Sequence, residues 1–359
     1  MTNVLRRAEE ATPEWLTEAL RRRGRLERGG VAAVRVASSS THLVSNTSRL
    51  EIAYTHDAPP GAPPSLFLKL SRPVFQPEAA QDHSRMEVEF YASVAPEMRD
   101  PPVPLCYDAA FDPATGGSHL LLEDLSETHF QPPPPLPPSD AHCEQAVEAL
   151  AEVHARWWEH TRLGAGIGEL LTVEEVEAVA RGAAERFERF ADFLGDRLSP
   201  ARRALYEKVI ACFPAPWRCL TSAKGLTLTH GDAHTWNFMY PRAGGRTLLI
   251  DWQLWHPHSG PRDLAFMMAL HWTPERRARL EEKLLRRYHE ALLSRGVRSY
   301  VWERCVTDYR RAALRNLFIP AWQWAGGMPE RVWGPNMERA IAAFEDLRCA
   351  ELVEGTPTE

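Results

Sequence analysis

Pro132 to Pro138 is an unbroken proline run except for Leu136. Proline lacks an amide hydrogen and has a fixed φ, so neither a helix nor an inner strand runs through such a stretch. The run therefore reads as a stiff linker or surface loop that divides the chain. The hydrophobic period differs on its two sides. Before it, Thr12-Pro13 opens a helix with Trp15, Leu16, Ala19 and Leu20 on one face. Short strands follow at Val31 to Ala37, Ser48 to Tyr54, Ser65 to Ser71 and His119 to Leu125, with Ser38 to Thr47 as a polar turn and a helix at Glu87 to Val94. After it, Val147, Leu150, Val153, His154 and Trp157 recur at helical spacing. Ser139, the Thr172/Glu175 box, Ser199-Pro200 and Thr273-Pro274 mark helix starts. A β island from about Leu226 to Trp255 interrupts these helices. The expected layout is a small mixed lobe, a connector and a larger helical lobe.

Composition excludes several classes. With 359 residues, 44% hydrophobic and 25% charged, the chain has material for a sizeable core. No apolar run approaches the ~18 residues of a membrane helix, and Met1 to Glu10 is charged, without a signal-like apolar stretch. The net charge of −6 and the lack of a long basic run argue against nucleic-acid binding. Six cysteines form no C-x-x-C pair and suggest neither a zinc site nor a disulfide framework. The expectation is a cytoplasmic protein with reduced thiols and no membrane or nucleic-acid partner.

The island carries the chemistry. It reads Leu228-Thr-His230-Gly-Asp232-Ala-His234-Thr-Trp-Asn237, then a turn at Pro241 to Gly245, then Ile250-Asp251-Trp252. Pairing Phe238 to Tyr240 with Thr247 to Ile250 as a hairpin brings Asn237 and Asp251 to the same end, with Asp232 on the loop before it. Phosphoryl transfer uses such a trio: one carboxylate orients the attacking hydroxyl, while a second carboxylate and an amide oxygen hold Mg²⁺ against the phosphates. The protein-kinase catalytic loop has the same order and the same five-residue spacing. Two other readings stay open on the island alone. His230, Asp232 and His234, with His256 and His258 nearby, could form a metal-hydrolase site. An Asp/His-rich turn could also be capping and hydrogen bonding.

Lys69 adds weight. The chain has only four lysines, and this one sits between Leu68 and Leu70 in an early strand. An ammonium there needs a partner or a ligand. Glu87, on the next helix, can supply it, with Glu89 as the competing choice; such a Lys–Glu pair holds the α/β-phosphates in kinases.

Taken together, His230-Gly-Asp232-x-His234-x-x-Asn237, Ile250-Asp251-Trp252 and Gly260-Pro-Arg-Asp263-Leu-Ala265 resemble the aminoglycoside phosphotransferase and choline kinase superfamily. Glu123-Asp124-Leu125, Leu150-Ala-Glu-Val-His154 and Glu87-x-x-Phe90-Tyr91 extend the likeness. Pro13-Glu-Trp15-Leu16 and Asp251-Trp-Gln253 are similar to the ecdysteroid-kinase-like branch. The resemblance covers about residues 13 to 270.

It implies an α+β, two-lobed protein-kinase-like fold, with a small antiparallel-sheet lobe and a larger, mainly helical lobe. Residues 1–125 would bind the nucleotide and end in the hinge, and 126–359 would carry the catalytic loop and acceptor cleft. ATP and Mg²⁺ are the implied cofactors, and a hydroxylated small molecule the acceptor. By position, Asp232 is the implied base and Asn237 and Asp251 the Mg²⁺ ligands. Lys69 would contact phosphates, with Glu87 positioning it. Backbone from Leu122 to Leu125, including Glu123 and Leu125, would meet the adenine. His230, His234 and Asp263 would support the loop, and His154 would be a core histidine.

The segment Ser38 to Thr47 departs from the family in having no glycine. Glycine lets backbone approach a phosphate closely; Ser40, Ser45 and nearby amides are the candidates to replace it. This departure keeps a degenerate, nucleotide-binding module as an alternative. Trp252, Trp255, Trp302, Trp322, Trp324 and Trp333 are the kind of residue that more often packs in a core; if some line the acceptor cleft instead, the acceptor is partly apolar rather than a naked aminosugar.

Overall fold

A computed structural model describes residues 4–42, 45–72, 78–133 and 137–354, with backbone alone at 78–82 and 354. The middle of the proline run, 134–136, and Leu43 and Val44 of the serine-rich turn lie outside the described residues. The fold is α+β and kinase-like, with a small antiparallel-sheet lobe and a larger helical lobe. Its chain forms two compact units, one from Met1–Pro133 with Asn237–Trp255, the other from Pro134–Trp236 with His256–Glu359.

In the first unit, α1 (Pro13–Arg22) is capped by Thr12, whose hydroxyl accepts from the Trp15 amide. Strands β1 (Val31–Thr41), β2 (Ser45–Tyr54), β3 (Ser65–Ser71), β4 (Cys106–Asp112) and β5 (Gly117–Glu123) form one antiparallel sheet in the order β1-β2-β3-β5-β4. α2 (Glu78–Glu89) lies between β3 and β4 in sequence and continues as a π turn over Phe90–Val94. The core joins Leu16 and Leu20 of α1 to Leu50, Leu66, Leu68 and Leu121 of the sheet. Burying a leucine side chain is worth ~1.5–3 kcal/mol, so this face fixes the register. β6 (His129–Phe130) pairs with β8 (Phe238–Pro241), and β8 pairs with β9 (Leu248–Leu249).

Two expectations need correction here, and one strand was not foreseen. Ser38 to Thr41 is not a turn: these residues pair with Arg49 to Asn46, and the Ser39 and Ser48 hydroxyls lie 2.9 Å apart. Polar residues sit comfortably on an exposed strand, so composition misled. The helix containing Glu87 starts earlier, at Glu78. Strand β4 went unread, because its half-buried residues show no clean alternation.

The second unit is mainly helical: α3 (Asp140–Trp157), α4 (Val173–Leu194), α5 (Pro200–Ile210), α6 (Pro261–Ala265), α7 (Pro274–Ser294), α8 (Trp302–Asn316), α9 (Ile319–Ala325) and α10 (Glu330–Asp346). Ser139, Thr172, Ser199 and Thr273 cap α3, α4, α5 and α7, and Thr172 with Glu175 makes the full capping box. β7 (Thr227–Thr229) pairs with β10 (His256–His258). A large core runs from Val176 and Phe187 of α4 through Phe266, Leu314 and Phe318 to Trp333 and Phe344. α3 and α7 run in the same direction, with Arg279 on Asp140, Lys283 on Glu144 at 2.5 Å and Arg287 on Glu148 at 2.7 Å. Exposed pairs contribute ~0–1 kcal/mol each; between the same two helices, the Tyr288 hydroxyl of α7 lies 2.8 Å from His154 Nδ1 of α3. No helix among the described residues is long and apolar enough to cross a membrane.

Candidate active site

In β3 the side chains alternate. Leu66, Leu68 and Leu70 enter the core, and Lys69 takes the opposite face. Its ammonium lies 2.8 Å from the Glu87 carboxylate and 2.5 Å from Asp251 Oδ1. Burial alone would lower the Lys69 pKa, but the two carboxylates outweigh it and raise it above the ordinary value. For Glu87 burial dominates and pushes its pKa up, with Lys69 partly offsetting. Glu89, the competing choice, instead takes Arg85 at 3.2 Å.

Asp251 is placed by the hairpin. Phe238 pairs with Leu249, and the Ile250 amide donates to the Asn237 carbonyl at 3.0 Å. Asn237 and Asp251 therefore lie at the same end of it. Asp251 has φ +67, a left-handed conformation rare for a residue with a Cβ. The neighbouring aromatics hold it there. Trp252 stacks on Phe90 with ring centroids 3.9 Å apart, and Trp255 Nε1 donates to the Met86 carbonyl at 2.7 Å. Both tryptophans are buried in the first unit, so they do not line an acceptor cleft. Trp333 is likewise core, edge-on to Phe190. Trp322 is largely exposed. Sequence reasoning missed this clamp; its only local sign was the Phe90 and Trp252 pairing of motifs.

At the other end of β5, Glu123 pairs through backbone with Leu105, and the Leu125 carbonyl accepts from the amides of Thr128 and His129. Asp124 between them accepts from Arg49 Nε at 2.6 Å and from Ser126. Burial opposes ionisation of Asp124, but the Ser126, Ser65 and Arg49 hydrogen bonds bring its pKa down to about 2. Ser40 lies exposed on β1, while Ser45 is buried on β2 opposite Ser71.

The second unit holds the Asp232 loop from behind. Asp263, near the start of α6, accepts the His230 amide at Oδ2 (2.6 Å) and the Gly231 amide at Oδ1 (3.0 Å). Arg262 donates to the Gly231 carbonyl at 2.9 Å. Burial opposes the Asp263 charge, yet the His154 hydrogen bond and the neighbouring Arg262 guanidinium bring its pKa down to about 2. Gly231 has φ +86, which a glycine adopts without strain. The His230 ring turns back on its own loop, with Nδ1 accepting the Asp232 amide at 3.2 Å. His234 Nε2 lies 3.6 Å from Asp232 Oδ2, and its ring faces His271 at 5.7 Å. His154 does more than fill the core: Nε2 meets Asp263 Oδ2 at 3.2 Å and Nδ1 meets the Tyr288 hydroxyl at 2.8 Å. Arg262 and Tyr288 were not read from the sequence; the Gly260-Pro-Arg-Asp263 motif signalled the first and nothing local the second.

Among the described residues, no three His, Cys, Asp or Glu side chains gather as a metal cage. The hydrolase reading of His230, Asp232 and His234 thus finds no support. An amide plus a carboxylate fits a different ion, Mg²⁺, a hard cation that takes few protein oxygens and shares phosphates and water.

Several solved structures share the fold. One from Ralstonia eutropha JMP134, provisionally assigned as an aminoglycoside phosphotransferase, aligns with a TM-score of 0.55 at 16% identity, covering 92% of this chain and 98% of the other. The GDP complex of aminoglycoside 2′-phosphotransferase-IIIa aligns with 0.52 at 12% identity over 94% and 99%. Plasmodium vivax ethanolamine kinase aligns with 0.52 at 9% identity over 88% and 82%. No curated protein sequence matches the chain. The ecdysteroid kinase-like family matches residues 74–296, a span that includes Glu87, the Asp232 loop, the hairpin and Asp263. With that match over more than half its length, the chain belongs to the ecdysteroid kinase-like family.

Proposed function

We propose that this kinase-like protein moves the γ-phosphoryl group of ATP, with Mg²⁺, onto a hydroxyl of a small organic molecule. The observation that carries the reading is the Lys69 ammonium held between Glu87 at 2.8 Å and Asp251 at 2.5 Å. A half-buried cation between two carboxylates, one of them on a strained backbone, is a costly arrangement with a ready use in binding phosphate.

In this reading the sheet-bearing unit binds the nucleotide. Lys69 meets its phosphates, Glu87 orients Lys69, and Asn237 and Asp251 supply oxygens to Mg²⁺. The bound ion offsets phosphate charge. Backbone at Glu123 and Leu125 faces the base, and Ser40 on β1 and Ser45 on β2 belong to the glycine-free segment. Asp232 orients the acceptor hydroxyl and takes its proton as the new P–O bond forms and the bond to ADP breaks. His230, His234 and Asp263 hold the Asp232 loop in shape. GDP binding by a fold relative supports a nucleotide site. The family's name supports a hydroxylated lipophile such as a steroid alcohol as acceptor.

A second reading, a nucleotide binder without turnover, is favoured by one observation. Ser38 to Thr41 is committed to the strand ladder with Arg49 to Asn46 and so does not form a free loop over phosphates. The two readings separate in a thermal-shift assay followed by ADP release over steroid alcohols, macrocycles, choline and aminoglycosides. The phosphotransferase reading expects stabilisation that needs both ATP and Mg²⁺, because a ligand of the folded state raises apparent stability, and acceptor-dependent ADP. Stabilisation with no ADP from any acceptor favours the binder. No shift at millimolar nucleotide overturns both.

A further inference from the structure

We infer that Tyr288, on α7, is a positioning residue for the Asp232 loop, acting through the tautomer of His154 on α3. The inference rests on the role proposed above for Asp232, although its first two readouts need neither nucleotide nor acceptor.

An unbroken chain of hydrogen bonds leads from Tyr288 to the loop. Tyr288 Oη lies 2.8 Å from His154 Nδ1. His154 Nε2 lies 3.2 Å from Asp263 Oδ2. Asp263 accepts the amides of His230 and Gly231. Every side chain in the chain is fully buried, so water does not substitute for a missing partner.

The protons follow from what each group can do. An ionised carboxylate only accepts, so His154 Nε2 must carry a hydrogen toward Asp263. Burial raises the Tyr288 pKa well above its ordinary value, with Cys305, Asp263 and Asp308 adding to the effect, so Tyr288 stays a phenol. On a neutral imidazole its hydroxyl donates to His154 Nδ1, which sets the tautomer with hydrogen on Nε2. In the other neutral tautomer, a lone pair would face the carboxylate. Besides His154 and the two amides, Asp263 faces the Arg262 guanidinium at 3.6 Å and feels the His230 ring.

The site is built for this contact. A Cβ at Gly260 would lie 2.1 Å from Tyr288 Oη and 3.0 Å from His154 Nδ1. Only glycine at that position lets the phenol and imidazole meet. The Thr227 hydroxyl donates to the His154 carbonyl at 2.6 Å and ties the same turn of α3 to β7, the strand that leads into the loop.

The test is Tyr288→Phe, which removes one oxygen and keeps the ring. Nitrogen-15 NMR of imidazole in the full chain should show hydrogen on His154 Nε2 and a bare Nδ1 in wild type, and loss of that single form in the variant. Amide exchange at His230 and Gly231 should rise about 10-fold or more, while amides at the start of α3 keep their rates. With a working acceptor, kcat should fall about 10-fold and the KM for ATP should hold within about 2-fold. Gly260→Ala, which displaces the phenol without removing it, should reproduce the NMR and exchange changes. An unchanged His154 spectrum and unchanged loop exchange in Tyr288→Phe overturn the inference, whatever the protein's activity. Uniform acceleration of exchange across the unit also overturns it, because that is a packing defect. Altered spectrum and exchange in a protein that binds no nucleotide would leave Tyr288 holding the loop and remove the phosphotransferase reading instead.

Discussion

Lys69 and Asp263 are both charged groups held by networks, but the networks are of opposite kinds. Lys69 bonds side chain to side chain, and its environment is open: the side chains of Lys69 and Asp251 are 17% and 32% exposed. Asp263 bonds mainly to backbone amides, and it and His154 are 0% exposed. In the proposed function, groups of the first kind exchange partners as phosphate and metal bind. Groups of the second kind hold one arrangement, since giving up a buried bond leaves a polar group unsatisfied. The difference separates binding, which needs an exchangeable set of charges, from positioning, which needs a fixed one.

The sharpest way to break the comparison is Asp263→Ala. It strips the acceptor from the His230 and Gly231 amides and from His154 at once. Breaking such a buried charged network costs ~3–5 kcal/mol, and urea unfolding should show it. A loss below about 1 kcal/mol would mean the network is not a fixed support.

Acid titration probes the same group at smaller scale. The folded Asp263 pKa, about 2, lies below the ordinary aspartate value of 3.8. A depressed carboxylate pKa stabilises the fold above the unfolded value, and this is lost as pH falls through the folded one. The expected contribution is about 2 kcal/mol, present above pH ~4 and fading toward pH ~2. Asp263→Asn should remove that part of the acid dependence. An acid-unfolding curve identical to wild type would assign the dependence to other groups.

Lys69→Met should act mainly on binding. Mg-ATP affinity should fall about 10-fold, equal to ~1.4 kcal/mol, with the sheet unit still folded by circular dichroism. Wild-type affinity would remove Lys69 from the phosphates.

How legible these parts were depended on distance along the chain. The β3 alternation and the hairpin were legible because residue order and turn residues decide them locally. Lys69 and Glu87 were legible because a lysine among leucines demands a partner. The links of His154 to Asp263 and Tyr288 span 109 and 134 residues, and only helix packing brings them together. For Trp252 and Trp255, core and cleft stayed open because aromatic content says nothing of direction; Phe90 and the Met86 carbonyl turn both inward. The serine-rich segment was misread because Ser and Thr favour turns locally, while pairing with β2 made it strand.

Calorimetric titration of Mg-ATP into wild type, Asp232→Asn and Asp251→Asn tests the central division most directly. Asp251 belongs to the exchangeable set and Asp232 to the positioned loop. The account predicts that Asp251→Asn weakens Mg-dependent ATP binding severely. Asp232→Asn should keep affinity within a few-fold and lose ~10²–10⁴-fold in acceptor-dependent turnover. Loss of binding in Asp232→Asn with wild-type binding in Asp251→Asn would contradict it.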